Sequence, residues 1–215
     1  MTDVRFLKVV VFVNALIPLV LLLSDVYRKR VGPNPLQFAT TTTGMLTLIF
    51  LSLTVAITPL RKIFGVNSLV KLRRMLGLFA FFYGALHLLT YIWFDRGFNL
   101  ISVVPDVVRR PFILAGMLAF LLMAPLAITS TNKMVKRLGG KRWAQLHRLV
   151  YLSVIAAVVH FWMLVKSDTR LPLTFAFIVL FLLGYRLLTK YMPARQAFPS
   201  RLEKNLFPLA TSAFA

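Results

Sequence analysis

The 215-residue chain contains no cysteine. Disulfides, thiolate catalysis, iron–sulfur clusters and covalent c-type haem attachment are thereby excluded, and any metal must be held by nitrogen or oxygen. Acidic residues are nearly as scarce, six against 26 Lys and Arg. Asp25, Asp95, Asp106 and Asp168 fall between the apolar runs, and Asp3 and Glu203 lie near the ends. Membrane depth therefore lacks the carboxylates that pumps use for proton relays and cation sites. Histidine is the third scarcity, with only His87, His147 and His160. Each of these lies in a long apolar run, where an ionisable group is costly and points to a function. The bland alternative for each is a hydrogen bond to a carbonyl or hydroxyl of a neighbouring helix. No internal repeat is evident, which weighs against a transporter of duplicated halves.

Apolar side chains are abundant. The composition is 59% hydrophobic and the mean hydropathy is +0.78, values of a polytopic membrane protein rather than a soluble domain. At about 20 residues per crossing, six spans are expected, at roughly 6–23, 44–60, 75–94, 111–128, 146–165 and 171–188. The expected fold is all-α, a six-transmembrane-helix bundle forming one membrane domain over 1–190. A basic cytoplasmic tail with Pro193, Pro199 and Pro208 is expected over 191–215. The first run has a basic start, but Leu21-Leu22-Leu23-Ser24-Asp25 is no small-residue cleavage site, so it reads as an anchor. Asn14 and Pro18 within it mark a kink or a polar contact to a neighbour.

The net charge of +20 follows topology. With N- and C-termini cytoplasmic, the inside segments hold 18 of the 26 basic residues, and the outside loops hold eight together with four aspartates. That is the positive-inside pattern of an inner (plasma) membrane protein, with anionic lipid rather than nucleic acid as the partner of the charge. Trp93, Trp162 and Tyr91 read as interfacial anchors at the outer ends, and Trp143 at the inner end. Gly139-Gly140 reads as a turn, since no strand precedes it to make a phosphate loop. Ser153 has neither a nucleophile elbow nor an acidic partner, which argues against a serine protease.

His147 and His160 are 13 residues apart, about 20 Å along one helix, so no single ion is shared between them. Spans 3 and 5 run in the same direction, which places His87 and His160 toward the outer leaflet and His147 near the inner face. The pattern suits an outer bis-histidine site and an inner site with one histidine. A haem fits two imidazoles on facing helices. Gly77, Ala80, Gly84 and His87 recur at helical spacing as a groove for a flat ring, with Arg73 on the same stripe one turn lower. Ser153, Ala156 and Ala157 lie within two turns of His160; small-residue helix packing explains such stripes equally well. On an ideal helix His147 and His160 are about 140° apart, an awkward angle for two stacked haems. Arg73, Arg74, water and an empty position stay open as the sixth ligand of the inner site, as does an arginine paired with haem propionates. His147, Arg148 and Tyr151 are the groups available to a quinone pocket.

The segments LRRMLGLFAFFYGALHLLTY, ITPLRK, RPFILAGMLAF and LAITSTNKMVKRLGGKRWAQLHRLVYL resemble the MsrQ (YedZ) family. These are haem-binding membrane subunits of the periplasmic protein-methionine-sulfoxide reductase system, within the ferric-reductase-like transmembrane superfamily. The resemblance covers nearly the whole chain apart from the tail. It implies one or two non-covalent b-type haems and an FMN. Electrons would come from the quinone pool or a cytosolic flavin reductase and pass to a periplasmic molybdenum-containing subunit that reduces methionine sulfoxide in oxidised proteins. It implies His87, His147 and His160 as iron ligands and Arg73 as a cofactor contact. Relatives with two bis-histidine haems carry a fourth histidine where this chain has Arg73 or its neighbours, which leaves the inner haem open. No dinucleotide fingerprint is present, so the chain is expected to borrow its electrons. Without cysteine, and with no extramembrane domain expected to house a molybdenum cofactor, it is expected to be an electron carrier and not the substrate-reducing catalyst. Competing readings are a ferric or cupric reductase acting at the outer surface and a non-redox scaffold or channel. The loops around 25–43 and 95–110 are expected to dock the periplasmic partner.

Overall fold

The computed structural model describes residues 4–191, so the expected tail lies almost wholly outside the described residues. Every regular element among them is helical: α1 (Val4–Tyr27), α2 (Pro35–Phe64), α3 (Arg73–Thr90), α4 (Leu100–Arg109), α5 (Pro111–Ile128), α6 (Asn132–Leu138), α7 (Gly140–Leu146), α8 (Leu149–Leu164) and α9 (Arg170–Tyr191). Six stretches are long and apolar enough to cross a membrane, one for each expected span. Their outward faces carry exposed apolar side chains such as Val20 and Leu21 on α1 and Phe177, Leu180 and Phe181 on α9. Apolar surface on that scale belongs against lipid. The chain is a multi-pass membrane protein.

α2 begins nine residues before the expected 44. Pro35 opens it, where a missing N–H costs nothing, and the Asn34 side chain caps it by accepting from the Gln37 N–H. The threonine run at 40–43 is helical: Thr43 donates back to the Ala39 carbonyl, as Thr47 one turn on does to the Thr43 carbonyl, and Thr40 donates across to Thr90 of α3. The helix ends at Gly65 in the left-handed conformation, φ 69°. A 3₁₀ turn over Asn67–Leu72 then leads into α3.

α2 and α3 form one antiparallel hairpin, and α5 and α8 form a second. Leu48, Leu51 and Val55 of α2 and Leu76, Phe79, Ala80 and Tyr83 of α3 make the buried core. The Phe50 and Tyr83 rings stack there at 5.5 Å and 4°. Without water to drive helices together, close van der Waals packing and interhelical hydrogen bonds hold such a core. Tyr83 donates to the Ala15 carbonyl of α1, 2.6 Å, close to Pro18, through which α1 continues. The interhelical polar contact expected of Asn14 thus comes from Tyr83; Asn14 bonds its own helix at Val10. Ser153, fully buried, donates to the Ala119 carbonyl and ties α8 to α5.

Two features depart from smooth spans. Tyr91–Asp95 is a π-helical turn, after which α4 runs outside the expected spans. Span 5 is broken at His147–Arg148, between α7 and α8. The expected turn at Gly139-Gly140 is present, with Gly139 at φ 75° between α6 and α7.

Candidate functional site: a paired-imidazole cavity

A cavity of about 290 Å³ lies between the two hairpins at the end bearing the aspartate loops. His87 of α3 and His160 of α8 line it from opposite sides. The Nδ1 of His87 is 2.9 Å from the Thr40 carbonyl of α2, and that of His160 is 2.6 Å from the Phe112 carbonyl of α5. A carbonyl only accepts, so each Nδ1 carries the proton and each Nε2 keeps its lone pair. No hydrogen bond to either Nε2 is made among the described residues. The ring centres are 6.1 Å apart.

Both histidines are seated by the same device. The accepting carbonyl, Thr40 or Phe112, is followed four residues later by glycine, Gly44 or Gly116, which is one helical turn on. A Cβ on Gly44 would stand 3.0 Å from His87 Cε1 and Nδ1, and one on Gly116 would stand 2.8 Å from His160 Nδ1. Only a bare Cα lets each ring reach its carbonyl. These two glycines and two carbonyls were not among the sequence candidates.

The pair meets the needs of a haem. Two metal–nitrogen bonds of about 2 Å each, with roughly 1 Å from each nitrogen to its ring centre, separate collinear imidazole centres by about 6 Å, matching the spacing found. No group of three or more potential metal-ligating side chains occurs among the described residues. A metal here needs its other donors from a macrocycle. The Nδ1–carbonyl bonds fix tautomer and ring orientation, the usual outer-shell arrangement around a ligating histidine. Gly84 and Ala157 line the cavity, whereas Ala80 is buried in the α2–α3 core. Gly77 faces Thr54 at ordinary contact distance and belongs to the other end of the bundle.

The mouth is braced from α4. Asp106 accepts from the Tyr91 hydroxyl, 2.7 Å, pairs with Arg96, and receives Arg110 Nε at 3.0 Å. The bond from Tyr91 and the two guanidiniums hold the Asp106 carboxyl below the usual carboxylate range. Tyr91 and Arg110 both line the cavity, so Tyr91 is part of this brace rather than a free interfacial anchor. Trp93 and Trp162 are exposed, as anchors would be.

At the basic end a second cavity of about 260 Å³ contains Arg73, Arg74, Gly77, His147, Arg148, Tyr151 and Arg186. His147 is set differently from the other two histidines. Its Nε2 is 3.1 Å from Thr129 Oγ1, whose own proton goes to the Pro125 carbonyl at 2.6 Å, so His147 is the donor. The Trp143 ring stacks on it at 3.9 Å, with the indole N–H on the Thr129 carbonyl. Trp143 therefore packs a site and is not a free anchor. The break at His147–Arg148 frees the direction of this ring from the register of α8, so the ideal-helix angle to His160 does not apply.

Fold and site together define a class: an all-helical multi-pass membrane protein with two facing imidazoles held on separate helix hairpins. The family model for the ferric reductase like transmembrane component matches residues 43–158. Curated relatives include proteins named protein-methionine-sulfoxide reductase heme-binding subunit MsrQ. That of Herminiimonas arsenicoxydans is 50% identical over 86% of this chain and 85% of its own length. That of Ralstonia nicotianae is 45% identical over 90% of each, and that of Rhodospirillum rubrum 46% identical over 85% and 88%. The chain belongs to the MsrQ family of ferric-reductase-like transmembrane proteins. No solved structure matches it.

Proposed function

We propose that this chain is the electron-transfer subunit of a protein-methionine-sulfoxide reductase system. It binds b-type haem between His87 and His160 and carries electrons across the inner membrane. The acceptor is a periplasmic molybdenum-containing subunit that reduces methionine sulfoxide in oxidised proteins; the donor is the quinone pool or a cytosolic flavin reductase. The observation that carries this reading is the pair of imidazoles 6.1 Å apart. Each is locked through Nδ1 on a backbone carbonyl, lines a mostly apolar cavity, and makes no Nε2 hydrogen bond among the described residues. A metal bound by the two rings would use both Nε2 lone pairs.

A bound haem supplies a one-electron iron couple. Thr40 and Phe112 fix ring orientation through their carbonyls, and Gly44 and Gly116 let the rings approach. The aspartate end, with the brace on Asp106, faces the periplasmic partner, and the 25–43 and 95–110 loops form the docking side. The basic end faces the cytoplasm, with both termini there, by the positive-inside pattern. The second cavity, with His147, Arg73 and Gly77 in its lining, receives the donor-side cofactor, a second haem or FMN.

The test is the absorption spectrum of the purified chain, oxidised and then reduced, with haem and iron counted per chain. A low-spin b-type spectrum is expected, and His87→Ala and His160→Ala should each abolish it while the chain stays in the membrane. Full haem content in both variants would overturn the assignment.

A further inference from the structure

Arg73 at the start of α3 and Arg186 on α9 each donate from Nη2 to the same acceptor, the hydroxyl of Thr58 on α2. Among the described residues, the Nε of each guanidinium is buried with no hydrogen-bond partner. No carboxylate pairs with either arginine or lines the surrounding cavity among the described residues. Two like charges thus converge on one neutral hydroxyl, beside Arg74 and Arg148 in the same lining. A buried cation without a counter-charge is costly, and one hydroxyl cannot neutralise two. Arg186 also lies over the Tyr151 ring, 4.8 Å from its centre, which fixes its plane. An oxyanion typically grips a guanidinium along an edge of parallel N–H groups. Here the Nε of such an edge is idle on both, while the Nη2 beside it keeps one further N–H besides the one on Thr58.

We propose that Arg73, Arg186 and Thr58 form an oxyanion receptor that holds the carboxylate or phosphate group of an amphiphilic ligand whose body lies in the basic-end cavity. The apolar side chains of Leu51, Val55, Leu126 and Val150 line that cavity with Tyr151, so it suits a flat or oily body with its acid at the arginine end. The receptor deepens the reading of this cavity as the donor-side cofactor site and rests on it; it shares no residue with the paired histidines, whose own test is separate. The acid could belong to a flavin phosphate, a haem propionate or a lipid headgroup, and the experiment separates these.

The full-length protein in nanodiscs of neutral lipid is titrated with FMN and with riboflavin, the same ring without phosphate. It is also titrated with hemin and with hemin dimethyl ester, in which the propionates are masked. Arg186→Gln and Thr58→Val are compared with wild type, with Lys190→Gln, exposed one turn further along α9, as control. The acid form of the bound probe is expected to bind about ten- to a hundredfold tighter than its neutral partner in wild type and Lys190→Gln, the range of a charge-assisted contact. Arg186→Gln and Thr58→Val should erase most of that preference. If neither pair is discriminated but phosphatidic acid stabilises wild type and not Arg186→Gln, the receptor takes a lipid phosphate. Equal binding of every acid and neutral pair in wild type, with no effect of phosphatidic acid, would overturn the proposal. The absorption spectrum of the histidine site, recorded on each variant, reports folding and tests the other reading separately.

Discussion

Gly116→Ala places a methyl group where the structure has none to spare. The new Cβ would stand 2.8 Å from His160 Nδ1, 3.0 Å from Cε1 and 3.2 Å from Cγ. Ordinary contact begins near 3.4 Å, so the ring must retreat by about 0.6 Å. That retreat stretches the 2.6 Å bond from Nδ1 to the Phe112 carbonyl to about 3.2 Å, the long limit for N–H···O. Overpacking of this size costs about 1–3 kcal/mol. Loosening the outer-shell partner of a ligating histidine weakens metal affinity about 10- to 100-fold, or roughly 1.4–2.8 kcal/mol at 1.4 per decade. The two routes agree in scale. Haem dissociation constants, measured by transfer to an apo-haem protein of known affinity, should therefore rise at least tenfold in Gly116→Ala. Gly184→Ala is the control: nothing lies within 4 Å of its Cβ, and alanine in a helix interior gains about 0.5–1 kcal/mol over glycine. A Gly116→Ala dissociation constant within twofold of wild type would refute the seating role of the glycine.

Gly44→Ala meets His87 at 3.0 Å rather than 2.8 Å, so it should weaken haem binding in the same assay, but less than Gly116→Ala; the reverse order would contradict the contact argument. Gly77→Ala meets only the Thr54 methyl at 3.7 Å and its oxygen at 3.9 Å, so thermal stability should be equal or higher and the histidine-site spectrum unchanged; loss of that spectrum would mean the helix pair is tighter than it looks. Asp106 has a lowered carboxyl pKa in the folded chain, so its contribution to stability is present above the ordinary carboxylate value of about 3.9 and is lost as pH falls through the lowered one. The melting temperature of wild type relative to Asp106→Asn should therefore stay constant from pH 7 to about 4 and shrink below it, and a difference already vanishing near pH 6 would rule out the brace. Tyr91→Phe removes one of the bonds to that carboxyl and should shift the decline to higher pH; an unmoved profile would exclude Tyr91 from the effect.

Much of this was legible in the sequence for physical reasons. Lipid leaves a crossing helix little freedom but to be apolar and about 20 residues long, so all six spans could be read. The pairing of His87 with His160 followed from counting directions across the bilayer. The polarity of the threonines at 40–43 suggests loop, yet they lie in α2, where the Thr43 hydroxyl bonds back to its own helix and the Thr40 hydroxyl donates to Thr90 at the end of α3. α4 was missed because ten residues containing Pro105 and Asp106 make no hydrophobic run. The break at His147–Arg148 is invisible to hydropathy, since the residues on both sides are apolar. The seats of the histidines were hidden for another reason: their partners are two backbone carbonyls and two missing methyl groups, and side-chain spacing records neither.

The contrast between the two ends of the bundle follows from these seats. At the aspartate end, carbonyl and glycine occur together on both α2 and α5, and each turns its imidazole so that Nδ1 is spent and Nε2 is free. The chain shows no sequence repeat, yet it solves the same geometric problem twice with the same pair of elements. At the basic end nothing equivalent supports His147 among the described residues. Its Nε2 is spent on Thr129, and arginines from α3, α8 and α9 or the turns beside them surround the space. One cavity presents lone pairs and the other presents positive charge. A metal centre satisfies the first and an acid the second, so the two ends ask for different chemistry even where one ligand, a haem with its propionates, could in principle offer both.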